Sequence, residues 1–164
     1  HASEADLCVS LEHLATQGAA FERSSRGGLL TYHGPGQLVV YPIVSLAELE
    51  IGVRQYARAL GSAAIGWLDQ RGVQGIWRED APGVWIGGAL ERKIASVGIH
   101  VHRQVAIHGL ALNLTTPLEH FAWLRPCGFA GDVMTSLACE AATSPSAEES
   151  ALSFHPHLEA ALGL

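Results

Sequence analysis

Leu7, Leu11 and Leu14 recur at spacings of four and three, which predicts a helix over residues 4–16. "LVVYPIVSL" (38–46) is β-branched and continuously apolar, the pattern of a buried strand, and Pro42 inside it implies an edge position or a bulge. Leu49, Val53, Tyr56, Leu60, Ala64, Trp67 and Leu68 recur at helical spacing, predicting the longest helix over 47–71, ending before Gly72. "PGVWIGG" (82–88) reads as a short strand. Residues 92–114 alternate in two runs around a polar turn at Arg103-Gln104, the pattern of a hairpin. A helical turn is expected around "LEHFAWL". A closing helix is expected over 144–162, with Ser144 as cap, Pro145 in its first turn and Pro156 breaking or kinking it. Between these elements "RGGLLTYHGPGQ" (26–37) holds four glycines and a proline, which predicts a structured loop. Helices interleaved with strands predict one mixed α/β domain.

Composition narrows the function classes. The 164 residues carry a net charge of −6, against nonspecific nucleic-acid binding, which needs a basic surface. No apolar run is long enough to span a bilayer, and "HASEADLCVS" lacks a signal-peptide pattern. Cys8, Cys127 and Cys139 make an odd number without metal-like spacing, so reduced thiols and a cytoplasmic location are the expectation.

Candidate chemistry centres on two residues. Cys127 stands in "LRPCGFAG" (124–131), between a residue that fixes φ and one that frees it, a setting that aims a side chain rather than packing it. Nine of the ten Lys and Arg residues are arginine, so Lys93 is the sole lysine. Lysine differs from arginine in being able to release a proton near neutrality, which marks Lys93 for chemistry. An ammonium about 4 Å from a thiolate gains roughly 1 kcal/mol in water and about 4 kcal/mol at an effective dielectric near 20, and the upper half of that range would leave the cysteine mostly thiolate. His33 and His108, each before a glycine, are the other possible activators, alongside the plainer reading of half-buried, hydrogen-bonded histidines. His100 and His102 lie on one face of a strand, but no third ligand accompanies them and no metal is expected. The glycine-rich loop has neither GxxxxGK[ST] nor GxGxxG, so nucleotide dependence has no positive support.

Three blocks, "RGGLLTYHGPGQLVVYPI", "RKIASVGIHV…IHGLALNL" and "RPCGFAGDVMTSL", stand in this order and closely resemble the octanoyltransferases of lipoate assembly, also called lipoate-protein ligase B. The resemblance runs from about Arg26 to Leu137. It implies an α/β, mixed-sheet single domain over 1–164 with the biotin/lipoate protein ligase catalytic fold, lacking the family's longer amino-terminal portion before the first block. It implies transfer of an octanoyl group from octanoyl-acyl carrier protein to a lysine of a lipoyl-carrier domain, without cofactor, ATP or metal. The acceptors it implies are the lipoyl domains of 2-oxoacid dehydrogenase complexes and the glycine cleavage H protein, with no nucleic-acid or membrane partner. Carried over by position, the acyl-thioester cysteine is Cys127 and its activating lysine is Lys93. The substrate-binding residues are Arg26, Gly27, Gly28, Leu29, Leu30, Thr31, Tyr32 and His33, then Ser96, Val97 and Gly98, then Gly109, Leu110 and Ala111. The alternatives are an ATP-dependent lipoate or biotin ligase on the same fold, and a noncatalytic, shortened relative that binds an acyl group or carrier domain.

Overall fold

The structure, a computed structural model, describes residues 4–88, 90–124 and 133–164. Ten elements follow in order: α1 (Leu11–Thr16), β1 (Gln37–Val40), β2 (Val44–Ser45), α2 (Val53–Asp69), β3 (Gly75–Trp77), β4 (Gly83–Ile86), β5 (Arg92–His102), β6 (Val105–Asn113), α3 (Leu137–Glu140) and α4 (Ala147–Leu162), with 3₁₀ turns at Glu4–Asp6 and Leu118–Trp123. The strands form one sheet in the order β1-β6-β5-β4-β3, with β2 also on β6. Every strand pairing in it is antiparallel among the described residues; a single parallel bridge joins Lys93 to Met134.

The hairpin forms as the alternation predicts. Arg103 and Gln104 both take positive φ (48° and 66°), which matches the turn to the twist of its strands. Pro42, with no N–H to give a ladder, divides the expected 38–46 strand into β1 and β2, both on the sheet edge beside β6.

Three helix expectations are corrected. The amino-terminal helix covers only Leu11–Thr16, because Leu7 bridges Leu124 and the Cys8 N–H donates to the Trp123 carbonyl at 2.8 Å. That commits residues 7 and 8 to tertiary pairing, and the helix starts after Ser10, whose hydroxyl accepts from the His13 N–H. The long helix begins at Val53 rather than 47, since Glu50 adopts φ 53° and Ile51 N–H turns back to the Leu46 carbonyl. In α4 the cap is Ser146, in a reciprocal box with Glu149, rather than Ser144. Pro156 stays inside that helix; Leu152, whose carbonyl loses its helical partner there, is exposed to water. β3 and α3 were not anticipated, being three and four residues long and so too short to show a period.

Both long helices cover one face of the sheet. Trp67, Leu60, Leu68 and Phe154 meet Leu38, Val84, Ala95, Leu110 and Leu112 in a continuous core. The opposite face is left for the glycine-rich loop, which crosses it. No helix among the described residues is long and apolar enough to cross a membrane.

Candidate active site

The site face is floored by small side chains. Ser96 pairs with Ala111 and Gly98 with Gly109 across the β5–β6 ladder, while their strand neighbours Val97 and Leu110 turn to the helix-side core. The loop lies directly on this floor: Gly27 N–H donates to the Ile99 carbonyl at 2.8 Å. A Cβ on Gly98 would stand 3.0 Å from Arg26 Cδ and 3.3 Å from the Gly27 carbonyl oxygen, so a larger residue would lift the loop. Arg26 shapes the loop from within, Nη1 donating to the carbonyls of Gly27 and Leu29 at 3.0 and 2.6 Å.

Between loop and floor runs a narrow cleft of about 40 Å³. All the substrate-binding residues expected from sequence line it except Tyr32, and Lys93 lines it with them. Tyr41, Val133 and Met134 complete the wall. Tyr32 faces a second cavity of about 430 Å³ on the other side of the loop, where its hydroxyl meets His120 Nδ1 at 2.8 Å and its ring packs edge-on against Phe121. Burial, and then the negative Glu119, raise the Tyr32 pKa. Cys127 lies outside the described residues, which resume at Val133, immediately before the Met134 bridge to Lys93.

A chain of buried amides ties the loop to the lysine-bearing strand. Two carbonyls that can only accept, those of Tyr32 and Thr135, fix which way each amide points. Asn113 Nδ2 donates to the Thr135 carbonyl at 2.9 Å, and Gln37 Nε2 donates to the Tyr32 carbonyl and to Asn113 Oδ1, both at 3.0 Å. Gln37 Oε1 is therefore an acceptor, so His33 donates from Nδ1 at 3.0 Å. The other ring nitrogen, Nε2, meets the Tyr41 hydroxyl at 3.2 Å. Thr135 N–H in turn donates to the Lys93 carbonyl at 2.9 Å. His108, in strained left-handed backbone at φ 60°, meets the Ser25 hydroxyl at 3.2 Å. No metal-binding group of three or more His, Cys, Asp or Glu occurs among the described residues.

Lys93 is 3 % exposed, rare for a lysine. Its aim comes from an irregularity in β5. Val84 pairs with Ala95, but Trp85 pairs with Lys93, so Ile94 is the extra residue of a bulge. Ile94 and Ala95 both enter the helix-side core, which strict alternation forbids, and the slip leaves Lys93 opposite Trp85 on the site side. Its Nζ lies 5.3 Å from the centre of the Trp85 ring. Just outside, Arg92 Nε and Nη2 grip the two oxygens of Glu140 at 2.9 and 3.0 Å, and the Thr135 hydroxyl donates to the same carboxylate at 2.6 Å. The Arg92 hydrogen bond holds Glu140 below its ordinary pKa despite burial, and the Thr135 hydroxyl adds to the effect.

Tyr41, Gln37, Asn113 and Trp85 were not singled out in the sequence. Gln37 and Asn113 are polar residues at the ends of strands, where polarity ordinarily marks solvent, and only the partner strand reveals that they are buried together.

The family model of the lipoyl protein ligase A/B catalytic domain matches residues 1–159. An octanoyltransferase of Bacteroides fragilis is 42% identical over 139 residues, covering 84% of this chain and 63% of that protein. An octanoyltransferase of Methylococcus capsulatus is 48% identical over 120 residues, covering 73% of this chain and 56% of that protein. The chain thus spans about three fifths of the length of the curated relatives it matches. A solved structure from an archaeal lipoylation system of Thermoplasma acidophilum, a bi-partite lipoate protein ligase and its E2 lipoyl domain, superposes with TM-score 0.73 at 17% identity, covering 94% of this chain and 62% of that one. Biotin protein ligase from Aquifex aeolicus superposes with TM-score 0.59 at 17% identity, covering 78% and 50%. At such identities these two likenesses establish the fold, which is the one expected from sequence.

Proposed function

Since the chain belongs to the lipoyl protein ligase A/B catalytic-domain family, we propose that it transfers an octanoyl group from acyl carrier protein to a lysine of lipoyl-carrier domains, through a thioester on Cys127. The observation that carries this reading is the burial of the sole lysine, Lys93, in a cleft lined by the three segments that resemble octanoyltransferases. The Cys127 thiolate attacks the donor thioester carbon, a new C–S bond forms, and the carrier's thiolate leaves. Lys93, as an ammonium, stabilises the attacking thiolate and then gives a proton to the departing carrier thiolate, which leaves Lys93 neutral. The acceptor amine then attacks the acyl-enzyme, the C–S bond breaks, and neutral Lys93 takes the proton the amine releases. Conversion of a thioester to an amide is downhill, so the reaction needs no nucleotide. In this reading the acyl chain lies along the small floor at Ser96, Gly98, Gly109 and Ala111, under the loop over 26–33. In this reading the protein works in the cytoplasm, and its acceptors are lipoyl domains of 2-oxoacid dehydrogenase complexes and the glycine cleavage H protein.

Mixing the protein with octanoyl-acyl carrier protein, without ATP or acceptor, tests the reading by intact mass and peptide mapping. One octanoyl group on Cys127, lost when a lipoyl domain is added, is the expected result, and Cys127→Ala abolishes it. Absence of an adduct from folded protein contradicts it. If transfer from free octanoate instead required ATP and released AMP, the chain would be a nucleotide-dependent ligase.

A further inference from the structure

We propose that Trp85 is a positioning residue for this reaction: its ring face holds the Lys93 ammonium on the site side of the sheet, in a sleeve completed by Gly83. The proposal rests on the acyl-transfer reading for what Lys93 does, and on the geometry of β4 and β5 for where Lys93 is held. The Trp85 ring is itself fixed, being 1 % exposed with Nε1 donating to the Ala81 carbonyl at 2.9 Å. That bond uses the indole's only donor, leaving the π face for a cation. Lys93 Nζ lies 5.3 Å from its centroid, within the range at which the ring quadrupole attracts an ammonium.

Gly83 clears the way for the lysine stem. Its φ is 147°, and a Cβ built on it would stand 2.5 Å from Lys93 Cε and 2.4 Å from the Ala95 carbonyl oxygen. An alanine there would both strain the backbone and push Lys93 aside. The β5 bulge contributes the third part. Continued from the Val84–Ala95 pair without a slip, the register would set Lys93 opposite Ile86, a member of the helix-side core. With it, Lys93 faces Trp85.

The ring also carries the Arg78 guanidinium, 4.7 Å from its centroid. That cation is held by Asp80 and Glu91 at the sheet margin. Trp85 thus joins a neutralised surface cation to the buried one, and a plain packing role would not require its face to meet either.

The sole lysine makes the test direct. Protein grown on lysine labelled with ¹³C at the ε carbon shows one Lys93 Hε–Cε signal. In the wild-type protein this signal is displaced upfield by the ring current; Trp85→Leu returns it to the free-lysine position and Trp85→Phe restores part of the shift. In single-turnover assays Trp85→Leu lowers the acyl-transfer rate about tenfold, leaves KM for octanoyl-acyl carrier protein unchanged, and is rescued by Trp85→Phe. Ring-fluorinated tryptophan placed at position 85 keeps the shape while weakening the π face, so the rate falls stepwise with fluorine number even where the leucine variant does not fold. A free-lysine shift in the wild type overturns the placement. Equal rates for folded leucine and phenylalanine variants, or no trend with fluorination, overturn the positioning role. If the wild type takes up no octanoyl group, the acyl-transfer reading fails, whereas the lysine signal still decides whether Trp85 holds Lys93.

Discussion

At Lys93 the chemistry turns on one difference between two cations. Arginine keeps its charge throughout the accessible pH range, whereas lysine can pass between ammonium and amine. Lys93→Arg therefore preserves a cation beside the Trp85 ring but removes the base from the second half of the proposed reaction. Acyl-enzyme formation is expected to persist while its discharge onto a lipoyl domain slows by about 10²–10⁴-fold, measured as accumulation of the octanoylated protein in single-turnover mass spectrometry. Undiminished discharge would remove Lys93 from the base role. This residue was legible in the sequence because it is the only lysine beside nine arginines. Trp85 was not, because in "GVWI" every residue is apolar and buried, and a strand covered on both faces shows no alternation. His33 was legible as a candidate through its place before a glycine, but that its Nδ1 donates follows only from the carbonyls of Tyr32 and Thr135, two and three hydrogen bonds away.

At the scale of elements, the cleft depends on how β5 is braced at its start. Glu140, on α3, accepts from Arg92 on β5 and from Thr135, which itself bonds the Lys93 backbone. Its side chain is 12% exposed, so solvent screens this contact less than an ordinary surface pair. Because the native pKa of Glu140 lies below its ordinary value of 4.5, the stabilisation is present in full above that value and is lost as pH falls through the native one. Glu140→Gln is expected to cost about 1–2 kcal/mol at neutral pH. The difference from wild type should close as the pH falls below 4.5 towards the lower native pKa, followed by urea unfolding across that range. A gap independent of pH would mean that packing of α3, not the carboxylate charge, supplies the brace. The expected hairpin and the loop over 26–37 were legible at this scale, since alternation and glycine density are local signals. The bulge at Ile94 was not: an extra residue in a strand of apolar and polar residues leaves no local mark, and it exists because Ile94 and Ala95 both find room in the helix-side core.

Over the whole molecule, the arrangement is a sheet with a dry face and a working face. α2 and α4 close the dry face, with Trp67 and Phe154 rings 6.2 Å apart where the two helices meet. Arg71 covers the outer side of that contact, its guanidinium 3.5 Å from the Trp67 ring, and desolvation lowers its pKa. Phe154 is 2 % exposed, so Phe154→Ala leaves a cavity and is expected to cost about 3–5 kcal/mol, read as a lower urea midpoint. The cleft side chains lie on the other face, so the surviving folded fraction should keep its acylation rate. A folded variant with impaired acylation would show that the helix layer reaches the working face. Strands and helices with strong periods, and the loop that its glycines demand, could be read from the chain alone, because each is set by neighbours a few positions apart; Lys93 and Cys127 stood out as candidates through composition and a Pro–Cys–Gly setting. That α1 is short, that Gln37 and Asn113 are buried partners, and that Lys93 faces Trp85 on the working side came from packing in three dimensions. Each of those depends on a register between segments distant along the chain, and a register is fixed by which face finds a core to enter, a property no single stretch of sequence contains.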